Sequence, residues 1–172
     1  MKKKSNSLVI IVVAVIVAVL AFTLPKLMSQ KEEVSVSAEA GEKDVQNLSE
    51  SEDLVIPLDK VTNNVTFYAV DVDGTEMEVM AVRDSSGNIR TAFNTCQVCY
   101  SSGRGYQQEG NDLVCQNCGN SFTTDQVGLE SGGCNPVPIM DNDGKIDDTS
   151  ITISYDFLKN YKEIFAQWKT GF

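Results

Sequence analysis

The chain has 172 residues with 14 basic and 24 acidic side chains, a formal net charge of −10, five cysteines and no histidine. That length holds one modest domain with appendages, and the missing imidazole excludes histidine-based nucleophile–base catalysis and mixed Cys/His metal sets. The charge is segregated: beyond Lys31 nine basic residues stand against all 24 acidic ones, −15 in total, a balance that repels nucleic acid and anionic lipid and keeps the domain soluble.

Lys2, Lys3 and Lys4 precede an uncharged run from Leu8 to Leu24 in which Thr23 is the single polar residue. A spanning helix needs roughly 17–25 such residues, whereas the core of a cleaved signal peptide has about 7–15. Val19-Leu20-Ala21 is a poor cleavage site, and no cysteine follows closely enough to take a lipid. Residues 1–28 are therefore read as a cytoplasmic lysine-rich start and an uncleaved transmembrane anchor. The basic flank places the rest outside the cell membrane, a single-pass topology with an extracytoplasmic C-terminal domain. Residues 29–54 are polar, acidic and free of aromatics, a composition that reads as a flexible linker.

The domain spans 55–172. VTFYAVDV (65–72) and EMEVMAV (76–82) flank Asp73-Gly74-Thr75, and Asp-Gly between two β-rich runs signals a hairpin. A turn at Asp84–Asn88 leads into IRTAFNT (89–95), completing an antiparallel meander. A glycine-rich loop (100–112), a short strand at Leu113-Val114, an irregular stretch (119–140) and a strand SITISY (150–155) follow. Asp71 and Asp73 read as solvent-facing strand-end residues. Asp141-Asn142-Asp143-Gly144 reads as a turn, because the flanking positions lack calcium-loop ligands. Phe157, Leu158, Tyr161, Ile164, Phe165 and Trp168 form one apolar face at helical spacing, so residues 154–169 are expected to be an amphipathic helix covering the sheet. Ser154 or Asp156 is the candidate cap.

Cys96 and Cys99, then Cys115 and Cys118, form two C-x-x-C pairs within a loop region at 95–136. Two residues between cysteines let both sulfurs face one side of a tight turn, and two facing turns make a four-thiolate cage. Gly119 and Gly133 are expected to turn backbone amides toward the sulfurs. Disulfides are the competing reading for an exported domain, but an odd number of thiols fits them poorly. Four thiolates suit zinc, a mononuclear iron or an iron–sulfur cluster. Cys134, in GGCNP, is either a buried small hydrophobe or an additional ligand or redox thiol.

From Val65 to Ile139 the chain resembles a Rieske-type domain. The carrying residues are the approach Gly87–Asn94 to Cys96, the run Cys115-Gln116-Asn117-Cys118-Gly119 followed by Phe122, and Gly132-Gly133-Cys134-Asn135-Pro136. Cys99 and Cys118 stand where that family has histidines, so a cluster here is expected at lower potential. The same residues, with Gly105-Tyr106 and Gly110 between the cysteine pairs, resemble the membrane iron–sulfur family typified by FtrD. The resemblance implies a mainly β fold: a Rieske-like antiparallel sheet or small barrel with a metal-binding loop subdomain. It implies an iron–sulfur cluster, a [2Fe–2S] foremost, in a membrane-bound protein that carries electrons or handles iron in bacterial iron uptake. With one candidate span, a transport role implies a membrane permease or redox partner. The alternative is a non-redox, zinc-stabilised module delivering metal to a transporter, and a third reading is a thiol–disulfide oxidoreductase. The first two describe a carrier or accessory protein rather than a stand-alone enzyme.

Overall fold

The computed structural model describes residues 43–45, 51–139 and 143–170, all within one compact body. The candidate anchor at 1–28 and most of the linker at 29–54 lie outside the described residues. Among those described, no helix is long and apolar enough to cross a membrane.

The strands run β1 (Lys43–Val45), β2 (Leu54–Pro57), β3 (Thr66–Val72), β4 (Thr75–Arg83), β5 (Ile89–Cys96), β6 (Tyr106–Glu109), β7 (Asp112–Cys115), β8 (Ser121–Thr123), β9 (Pro136–Pro138), β10 (Gly144–Ile146) and β11 (Ser150–Ile153), followed by α1 (Tyr155–Asn160). They form three sheets, ordered β1-β3-β4-β5-β9, β10-β11-β2 and β6-β7-β8. Every pairing is antiparallel except β1 with β3. Lys43–Val45, within the stretch read as a linker, thus adds a parallel strand to the main sheet.

The small barrel is not formed: the sheets stay open. The main sheet ends on β9, whose Pro136 and Pro138 pair with Cys96 and Ala92 across a register break. Proline offers no N–H to a ladder, so a strand rich in it belongs at an edge.

The meander folds as its period dictates. Val72 pairs with Thr75, leaving Asp73 (φ 49°) and Gly74 (φ 77°) as a two-residue loop. Positive φ at both positions is what the twist of a tight hairpin requires. Both faces of the meander are buried, because alternate residues feed two cores. Tyr68, Val70, Met77, Val79 and Phe93 pack with the C-terminal segment and the β10-β11-β2 sheet. Val65, Phe67, Met80, Val82 and Ala92 pack with Cys96, Tyr106, Leu113 and Cys115 of the cysteine region.

The expected helix over 154–169 is broken. Ser154 caps α1, its hydroxyl accepting from the Phe157 amide at 3.2 Å. At Tyr161 (φ −106°, ψ 7°) the backbone leaves the helix and resumes as a 3-10 turn over Lys162–Phe165. The reason lies in the rings: Phe157, Tyr161 and Phe165 stand 6.0, 4.9 and 5.7 Å from Phe93. A straight helix would spread positions 157 and 165 over about 12 Å at 1.5 Å per residue. The bend lets all three close around one phenylalanine.

Asp73 is not a free strand-end residue. Its carboxylate accepts from the Tyr155 phenol at 2.6 Å and pairs with Lys159 at 2.9 Å, joining the hairpin to α1. The Tyr155 hydrogen bond first, then Lys159, lowers its pKa from 3.8 to about 2. A carboxyl whose folded pKa is depressed stabilises the fold above its unfolded pKa and loses that contribution as pH falls through the folded one. Asp73→Asn is therefore expected to melt below the parent at pH 6, with the gap closing as pH drops from about 4 toward 2. Thermal unfolding of both proteins across that range measures it; a gap that stays constant with pH counts against the linkage.

Candidate metal centre

Strands β5 and β7 end on Cys96 and Cys115, and both are buried at 2 % and 3 % exposure. From each, the chain makes the same turn. The Cys99 amide donates to Cys96 Sγ at 2.9 Å, and the Cys118 and Asn117 amides donate to the Cys115 sulfur. Two C-x-x-C segments thus build two N–H···S knuckles, each placing a buried thiol at the strand end and a more accessible one three residues later. Gly119 acts indirectly. Its own amide donates to the Cys115 carbonyl at 2.9 Å, while its φ of 74° turns the chain so that the Asn120 amide reaches the Cys118 sulfur.

Cys134 completes the group. Its sulfur lies 3.7 Å from that of Cys118, and the sulfurs of Cys99, Cys118 and Cys134 all fall within 4.8 Å of one another. Cys118 also contacts the thiol of Cys115. Cys118 is exposed, Cys99 and Cys134 half-buried, and Cys96 and Cys115 buried; these last two lie outside the three-sulfur group, so the four sulfurs expected from the sequence are not all within 4.8 Å of one another. The three-sulfur set includes Cys134, which is half-buried rather than fully enclosed.

Two elements hold Cys134 in place. Pro136 pairs across from Cys96 in the main sheet. Tyr106, which pairs across from Cys115, donates its phenol O–H to the Cys134 carbonyl and sits within hydrogen-bonding reach of the Cys96 sulfur. Tyr106 is fixed in turn: its amide donates to Asn94 Oδ1 at 2.6 Å, and Asn94 Nδ2 donates to the buried Glu78 carboxylate at 2.7 Å. Lys169 closes the chain, its Nζ donating to Glu78 at 3.0 Å. Sequence reasoning missed Asn94, Glu78 and Lys169. Tyr106 stood in the quoted Gly-Tyr step without an assigned role.

The thiols differ electrostatically. Burial pushes Cys115 up, while the Asn120 amide holds Cys118 below the ordinary thiol range. Sharing a hydrogen bond with Cys118 is the main reason that Cys134 is pushed up to about 11. Burial raises the Tyr106 phenol, which stays a proton donor. The exposed Cys118 thus has a stabilised thiolate, the character of a metal ligand or nucleophile.

The donor set fits an all-thiolate metal group. Sulfurs bound tetrahedrally at about 2.3 Å lie about 3.8 Å apart, close to the 3.7 Å between Cys118 and Cys134. All five cysteines are free thiols, and amide-to-sulfur bonds stabilise the thiolate form that metals require. Imidazole is absent, so the set belongs with zinc or all-thiolate iron–sulfur chemistry rather than with a Rieske iron held by a pair of histidines.

No curated protein and no solved structure matches the chain. Residues 61–165 match the family described as membrane iron-sulfur containing protein FtrD-like. The matched segment runs from ahead of β3 through the 3-10 turn and contains the five cysteines, Tyr106, Asn94 and Glu78. The chain belongs to the FtrD-like family of membrane iron–sulfur containing proteins.

Proposed function

We propose that this chain is a membrane-anchored, extracytoplasmic electron carrier that supports metal transport, iron foremost, by a permease or redox partner in the same membrane. In this reading Cys96, Cys99, Cys115 and Cys118 hold an iron–sulfur cluster, a [2Fe–2S] by preference, on a Rieske-like core in which thiolates stand in place of imidazoles. The observation that carries it is the pair of equivalent N–H···S knuckles facing one another with no histidine nearby, in a chain of an iron–sulfur family.

When bound, the cluster supplies a one-electron store. The protein's own groups set how it is held. Cys96 and Cys115 anchor it from the buried side, and Cys118 leaves one edge open to a partner. The Cys99, Asn117, Cys118 and Asn120 amides soften the negative charge on the sulfurs, which eases addition of an electron. In this reading the part of the linker ahead of β1 tethers the domain to the anchor and lets it reach membrane partners.

Tyr106→Phe tests the local part of this account. The Tyr106 O–H is shared between the Cys134 carbonyl and the Cys96 sulfur; removing it takes a donor from the sulfur and disfavours the more negative, reduced state, so the reduction potential is expected to fall while iron content is kept. Potentiometric titration of both full-length proteins, followed by electron paramagnetic resonance, reads the shift. A reversible one-electron couple below the Rieske range supports the electron-carrier reading, and a protein with no couple supports zinc-stabilised metal delivery instead.

A further inference from the structure

We propose that Cys134 is an exchange ligand of this site, taking over the coordination position of Cys118 when that thiolate is displaced. The inference rests on the metal centre proposed above, and it concerns which thiolates hold the metal rather than which metal is held.

Three observations lead to it. First, the chain carries five thiols where a four-thiolate set needs four, and the fifth has a definite neighbour: Cys134 Sγ is 3.7 Å from Cys118 Sγ. Second, Cys99, Cys118 and Cys134 together satisfy the spacing of three ligands on one ion, their sulfurs all within 4.8 Å. Replacing one member of the pair by the other therefore moves the metal little. Third, Cys134 is built into the site from both sides. The Tyr106 phenol holds its carbonyl, and Pro136, two residues on, is in register with Cys96. Gly133, immediately before it, is in the left-handed region (φ 61°), with nothing within 4 Å of the place where a Cβ would stand.

The burial pattern says which ligand is exchanged. Cys96 and Cys115 end strands and are enclosed by the second core. Cys118 is the exposed member of its knuckle. A thiolate reachable from solvent is the one that an incoming partner's thiol or a metal ion can engage. A fifth sulfur alongside keeps the coordination number at four through that event. Exchange of this kind needs no oxidant or reductant: one metal–sulfur bond forms as another breaks, and the departing thiolate takes up the proton released by Cys134.

The test is a double-mutant cycle on the full-length chain, purified anaerobically, reading the rate at which bound metal passes to an excess of chelator. Cys118→Ala and Cys134→Ala are each expected to speed release by about tenfold, the lower end for a lost supporting interaction around a metal. The double variant is expected to speed it by clearly more than the product of the two, because each thiol covers for the other. Cys134→Ser, which keeps the size and polarity of the loop, is expected to show the same coupling. A double variant equal to the product of the singles, or a Cys134 substitution silent in the Cys118→Ala background, overturns the proposal. The metal's identity is a separate readout. A zinc protein with the coupling upholds the exchange and sinks the iron–sulfur reading, whereas an iron–sulfur protein without coupling does the reverse.

Discussion

Cys115→Ser is expected to empty the metal site of the full-length chain and to loosen the β6-β7-β8 sheet with it. Cys115 is buried, ends β7 opposite Tyr106, and its sulfur accepts the Asn117 and Cys118 amides. No other sulfur stands ready to take its place in that enclosed position, in contrast to the outer pair Cys118 and Cys134. The three strands of this sheet are four, four and three residues long, too short to be stable without support from elsewhere. Metal binding supplies folding free energy in such settings. Metal affinity is expected to fall by at least about 100-fold, the upper end for disturbed metal sites. Amide exchange in β6–β8 should rise while that in β3–β5 is kept. A variant that holds its metal with unchanged exchange would remove Cys115 from the ligand set.

Gly105→Ala is the second substitution with a large expected effect. Gly105 has φ 67°, and an added Cβ would lie 2.7 Å from the Trp168 ring and 2.8 Å from both the carbonyl and the side-chain oxygen of Asn94. The left-handed backbone alone costs an alanine about 1–3 kcal/mol, and forcing a methyl into a filled site costs a further 1–3 kcal/mol or so. The sum, about 2–6 kcal/mol, is a large share of the roughly 5–15 kcal/mol that holds a domain folded. The damage lands on the metal loop, since Asn94 Oδ1 is the acceptor for the Tyr106 amide. Gly110→Ala is the internal comparison: it has φ 64° but open space around it, so the backbone part of the cost remains alone. Denaturant unfolding of the two variants should differ by the packing part. Equal losses would mean that Trp168 and Asn94 do not crowd Gly105.

The meander and the cysteine knuckles were legible because their signals are local. The β-rich runs over Thr66–Val72 and Thr75–Arg83 mark strands whose pairing is set by a two-residue turn, and C-x-x-C sets its own turn. Most of both runs is apolar and buried, as in strands covered on both faces, whereas a half-exposed antiparallel sheet would alternate. What stayed hidden depends on groups far apart in sequence. Glu78, Asn94 and Lys169 are ordinary surface residue types, and only the fold buries the first two and links them to Lys169. Asp73 is the same case, reading as a strand-end acid until α1 brings Tyr155 and Lys159 to it. The helix period over 154–169 is real, but it cannot reveal that Phe93 draws three of its rings inward and bends the axis. Cys134 was ambiguous because a single cysteine in a Gly-Gly-Cys loop carries no spacing signal. Its place follows from the pairing of Pro136 with Cys96.

The most direct test of the central claim is the visible spectrum of the full-length chain purified without oxygen, taken with iron and acid-labile sulfide analysis. The expected result is a coloured protein holding iron and matching sulfide, with thiolate-to-iron charge-transfer bands that bleach on addition of dithionite. A colourless protein holding stoichiometric zinc and no sulfide would contradict it.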